Sequence, residues 1–175
     1  FAQDCLGQSV INLMKKEGFI DLTDEIMRKE IYLFSIKGAS VIPADSLLAI
    51  KLQEISLERC SDKYVYFEKG NIYDSELVIS IESGEDNSLA SVRLRYGRYG
   101  DYQLPNSAFA NINHPRFCES YTKNGKPTKS DCKVFRSEDK RRVYIYMLNG
   151  EGTNRCEVIW ILQDKKYYGR VIDSF

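Results

Sequence analysis

Alternation constrains this chain most. From residue 76 to residue 96, apolar and polar side chains switch with period two in two successive short runs. In 76–83, Leu77, Ile79 and Ile81 fall on one side and Val78, Ser80 and Glu82 on the other. In 89–96, Val92, Leu94 and Tyr96 oppose Arg93 and Arg95. A period of two is the signature of a strand with one buried face. Further strand-like runs rich in aromatic and β-branched residues occur at 63–69, 132–136, 142–148, 155–163 and 167–173, separated by turn residues such as Gly70-Asn71, 84–88 and Asp164-Lys165. Short strands at close spacing predict an antiparallel meander and not strand–helix–strand units. Twelve Tyr and eight Phe against four Pro agree with a sheet-rich globule.

Helical spacing is confined to the first part of the chain. Leu6, Val10, Leu13 and Met14 recur at i, i+4, i+7 and i+8, which predicts a helix over 4–17. Ile31, Leu33 and Phe34 read as a strand within 30–37 that Gly38 ends. Residues 44–60 suit both patterns, and the reading adopted is helix near Ser46 and strand later. Residues 97–132 read as irregular, with one helical turn at 107–111. The expected fold is α+β: an N-terminal helix packed on a mainly antiparallel, curved sheet of about six to eight strands. The chain of 175 residues fits a single domain over 1–175, with its only plausible seam near 38–46.

With 25 basic and 25 acidic residues, the formal net charge is zero. That balance argues against nucleic acid as a partner, since such binders carry a basic excess. No apolar run reaches the roughly 20 residues of a membrane span. Phe1-Ala2-Gln3 resembles the tail of a secretory signal cleaved after a small residue, which points to an extracytoplasmic location. A disulfide between Cys118 and Cys132 fits that location. The stretch between them, built around Asn124-Gly125-Lys126-Pro127, is polar and buries little, so a covalent clasp suits it. Cys5 with Cys60 is a looser second pairing, which leaves Cys156 as a buried free thiol beside Trp160.

The segment 93–102 has the most unusual composition, with Arg93, Arg95 and Arg98 interleaved with Tyr96, Tyr99 and Tyr102. Arginine forks and tyrosine rings dominate binding hot spots. Gly97 and Gly100 flank Arg98 and Tyr99, and Arg95, Arg98, Tyr99 and Tyr102 are the expected partner-binding residues. Catalytic signals are weak. His114 lies near Cys118 in a Pro-flanked loop, with no orienting acid. The acid pairs Asp24-Glu25, Glu85-Asp86 and Glu138-Asp139 read as helix-start or turn residues. Gly150-Glu151-Gly152 lacks the lysine and helix of a phosphate loop. No two cysteines have C-x-x-C spacing, so no metal or cofactor is expected. The expected function is a non-enzymatic module that binds another protein, such as an inhibitor or a toxin-neutralising immunity protein. The alternatives are a small-molecule or lipid carrier with a pocket between helix and curved sheet, and a hydrolase without a recognisable signature.

Overall fold

The structure is a computed structural model that describes residues 24–35, 49–70, 75–85, 88–97, 101–109, 112, 115–118, 130–150 and 155–174. One helix, α1 (Glu25–Tyr32), precedes nine strands. They are β1 (Leu52–Cys60), β2 (Tyr64–Gly70), β3 (Ser75–Ser83), β4 (Leu89–Tyr96), β5 (Tyr102–Gln103), β6 (Cys132–Ser137), β7 (Arg142–Asn149), β8 (Cys156–Gln163) and β9 (Lys166–Ser174). All nine form one antiparallel sheet in the order β5-β4-β3-β2-β1-β6-β7-β8-β9. Two meanders therefore grow outward from a shared centre. One runs from β1 to β5, and the other starts at β6 beside β1 and runs to β9.

The alternation read from the sequence becomes two faces. The inner face collects Ile55, Phe67, Ile79, Leu94, Val134, Ile145 and Trp160 into one buried cluster that draws on β1–β4 and β6–β8. A sheet that packs one face against itself must curl. It curls until its two edge strands meet: the backbone N–H of Tyr167 in β9 donates to the Tyr102 hydroxyl in β5 at 3.0 Å. The Lys165 ammonium also lies 5.6 Å from the centre of the Tyr96 ring. The result is a half-barrel whose edges shield one another, which blunts the usual liability of an open strand edge.

The interior is filled. The connection from β5 back to β6 places Leu104, Ala108, Phe109, Ile112 and Phe117 in the core cluster. A 3-10 turn at Asn106–Ala108 presents the Ala108 carbonyl inward. It accepts from Trp160 Nε1 at 2.8 Å and from Arg170 Nη1 at 2.9 Å. The helical turn expected at 107–111 thus begins one residue earlier.

The outer face of β7–β9 carries α1. Met27, Ile31 and Tyr32 pack on Tyr144, Tyr146, Ile159, Ile161 and Val171. Two buried carboxylates sit in this layer. Glu30 accepts from Arg142 Nε at 2.6 Å and from the Tyr144 hydroxyl at 2.7 Å. Glu157 accepts from the Tyr146 hydroxyl and the Ser35 hydroxyl, both at 2.9 Å. Burial, and then the neighbouring carboxylates, push both phenols up, so they remain protonated donors. Phe34 stacks on Phe135 at 4.6 Å between centroids.

Three expectations need correction or restriction. Within the strand expected over 30–37, the described residues 30–35 are not a strand. Asp24 caps a helix by accepting from the Met27 N–H at 3.0 Å, and Met27, Glu30 and Ile31 turn one face to the sheet. The architecture is sheet-dominated, with one short helix among the described residues. The helices expected at 4–17 and near Ser46 lie outside the described residues. The strands expected after the middle of 44–60 and over 63–96 and 132–173 are present, including the two-residue hairpin at Asp164-Lys165. Both of its residues have positive φ, 51° and 67°, as the twist of a tight hairpin demands.

The cysteine pairing also differs. Cys118 is bonded to Cys60, with Cα atoms 5.4 Å apart, and not to Cys132. Cys60 ends β1, and Cys118 ends the described part of the connection that fills the interior. Cys132 follows the inward parity of Val134, so its side chain enters the core and not the loop. There its thiol donates to the Arg116 carbonyl at 3.7 Å. Burial pushes that thiol up to about 12, so it stays protonated and inert. Cys132 is thus the free buried cysteine, while Cys156 is disulfide-bonded, with a partner outside the described residues. The looser Cys5–Cys60 pairing falls with the assignment of Cys60.

Candidate functional site

The outer face of β1–β5 differs from that of β7–β9. The described residues of α1 and its following turn pack on β6–β9 and leave the β2–β4 side open. Register places two rows of side chains on it. Arg59 stands opposite Tyr66, Tyr66 opposite Ser80, Ser80 opposite Arg93, and Arg93 opposite Gln103. In the next row Ser56 faces Glu68, Glu68 faces Val78, and Val78 faces Arg95. Directly opposed residues of an antiparallel pair sit close enough to act together.

These rows bring together an arginine–tyrosine patch from three strands. The Arg59 guanidinium lies 4.6 Å from the centre of the Tyr66 ring, a cation–π contact. Burial, and then the Glu68 carboxylate, push the Tyr66 phenol up, against the opposing pull of Arg95 and Arg59. Arg59 and Arg93 are exposed, and Tyr66 and Arg95 are half-buried. Between them opens a notch of about 190 Å³ lined by Tyr66, Val78, Ser80, Arg93, Arg95 and Asp101.

Charge pairing sets this patch apart. Arg116, Arg136, Arg141 and Arg142 each bridge a carboxylate elsewhere in the protein. Arg59, Arg93 and Arg95 make no ion pair among the described residues, and Asp101 bonds to neither arginine of the notch. The Arg95 Nε is moreover buried with no hydrogen-bond acceptor among the described residues.

Of the four expected partner-binding residues, Arg95 lies in this patch. Tyr102 has a structural role, since its hydroxyl closes the seam to β9 and its ring packs against the core. Arg98 and Tyr99 lie outside the described residues, as does His114. Sequence reasoning placed Arg93 and Arg95 on the outer face by alternation, and it missed Arg59 and Tyr66. Only cross-strand register reveals that they join the patch.

Members of two of the three acid pairs serve structure, while Asp86 of the third lies outside the described residues. Asp24 caps α1, Glu25 bridges Lys29 at 3.1 Å, and Asp139 accepts from Ser137, Arg141 and Arg142 at the β6–β7 turn. Among the described residues no cluster of three or more His, Cys, Asp or Glu side chains has metal-binding geometry, and no helix is long and apolar enough to cross a membrane. In comparisons with known proteins, no protein-family model, no curated protein and no solved structure matches this chain.

Proposed function

We propose that this protein is a non-enzymatic, exported binding module, of the inhibitor or immunity-protein kind, and that it engages another protein through the open outer face of β1–β5. One observation carries the reading: three arginines without carboxylate partners among the described residues share a sheet face that α1 and its following turn leave open, together with a half-buried tyrosine. Arg and Tyr are the residues that most often dominate interface energy. The disulfide between Cys60 and Cys118 supports export, because such bonds persist in oxidising compartments. The carrier reading keeps a cleft of about 720 Å³ between the turn after α1 and the outer face of β1 and β6, bordered by Leu33, Phe34, Leu52 and Phe135, but it finds no room inside the curled sheet. The concavity of the sheet is occupied by the protein's own Leu104, Phe109, Ile112 and Phe117, packed around Trp160.

Native mass spectrometry of protein isolated from its source at low salt separates these readings. The expected species is a complex larger than the 20.2 kDa chain, which dissociates into two different proteins at about 1 M salt. There the screening length falls to about 3 Å. A chain carrying an adduct of small-molecule mass would instead support the carrier.

A further inference from the structure

Resting on the binding reading above, we infer that the notch on the open face receives a carboxylate side chain from an acidic segment of the partner protein. The geometry has three parts. Arg93 and Arg95 lie two residues apart on β4, so both guanidiniums project from the same face of one strand. They flank a notch of about 190 Å³ whose floor includes the buried Val78. The Arg95 Nε is already dehydrated and has no acceptor among the described residues.

A buried guanidinium N–H without an acceptor is costly unless a ligand supplies one. A carboxylate meets that need best, because its two oxygens match the planar fork of an arginine with two parallel bonds. The methylenes of a Glu side chain would pack on Val78 and the Tyr66 ring while its carboxylate reached the arginines. Arg59, behind Tyr66, extends the positive potential along the strip and accommodates a second acid of the same segment.

Nucleic acid fits less well. Glu54, Glu58 and Glu82 are exposed on the strands that bear the strip, and Asp101 is exposed at the notch itself. A phosphate backbone carries charge at every residue and would be repelled by that rim. An acidic peptide can place its carboxylates at the notch and present neutral or basic residues to the rim.

The test is an NMR titration of the intact, oxidised protein that follows backbone amides and arginine Nε–H signals. Three probes are used: an acetylated hexapeptide with two central glutamates flanked by serine and lysine, its counterpart with both glutamates replaced by glutamine, and a short oligothymidylate. The expected result is a saturable shift of the Arg95 and Arg93 Nε–H signals with the glutamate peptide alone. Its affinity should fall at least about tenfold in Arg95→Gln, consistent with loss of a charge-assisted pair. Arg141, exposed and already bridged to Asp164, serves as the internal control and should not move. Shifts of equal size at Arg141 would show diffuse charge attraction and overturn the inference. Tighter binding of the oligothymidylate would assign the strip to nucleic acid and overturn it as well. If the glutamine peptide moves the amides around Tyr66 and Val78 as strongly, with the arginine signals still, the acidic partner is wrong but the contact face stands. Silence of the whole face towards all three probes would count against both.

Discussion

Replacing Arg142 by Met lowers the stability of this protein by about 3–5 kcal/mol, the usual cost of leaving a buried charge without its partner. Both side chains of the pair are nearly inaccessible, 7% for Arg142 and 5% for Glu30, and Nε donates to the carboxylate at 2.6 Å. Without the guanidinium, Glu30 retains only the Tyr144 hydroxyl in an apolar layer under α1. The double variant Glu30→Gln/Arg142→Met removes the charge and keeps an acceptor for Tyr144. It should lose less than the sum of the single changes, with a coupling of about 2 kcal/mol. Urea denaturation of the four proteins of this cycle measures the effect. Additive single losses would mean that the pair contributes nothing as a pair.

Removing the Cys60–Cys118 disulfide should cost about 4 kcal/mol, from the loop-closure entropy of a ring with sequence separation 58. The Cys60→Ser/Cys118→Ser variant should therefore melt well below the parent protein. The bond also anchors one end of the connection that fills the half-barrel, so its loss should expose the core around Phe117 and Trp160 first. Non-reducing peptide mapping after labelling in denaturant should find the label on Cys132 and a cross-linked peptide containing Cys60 and Cys118. A Cys118–Cys132 peptide would refute this arrangement.

Much of the sheet was legible because its inner face is buried along nearly every strand. That burial forces period two onto β3 and β4, where a slip of one residue would turn Ile79 or Leu94 to the outer face; β7 and β8 are buried on both faces and read instead as near-continuous apolar runs. α1 was misread for the opposite reason. Eight residues offer two turns of periodicity, and Ile31, Leu33 and Phe34 imitate alternation where the helix is ending. What identifies the helix is the cap at Asp24 and the docking of Glu30 on Arg142, which lies 112 residues away. β5 is too short, at two residues, to carry any period.

The candidate site was half legible, and the cysteine pairing was not. Alternation put Arg93 and Arg95 outside, and the structure agrees. It could not show that Arg59 and Tyr66 stand beside them, because that depends on the register of three hairpins. The cysteines followed the same logic. Local sequence made Cys118 and Cys132 look like the two ends of one clasp, but strand parity sends the Cys132 thiol into the core, and sheet order brings Cys60 to Cys118.

The central claim is that the open face of β1–β5 is the contact surface. Site-specific photocrosslinking in producing cells tests it most directly, with a benzoylphenylalanine placed at Ser80 between Tyr66 and Arg93, or at the exposed Tyr168 on β9 as a control. The account predicts one discrete protein adduct from Ser80 and none from Tyr168, and loss of the Ser80 adduct when Arg93→Glu and Arg95→Glu are introduced together. An adduct from Tyr168 with none from Ser80, or a Ser80 adduct indifferent to both charge reversals, would contradict it.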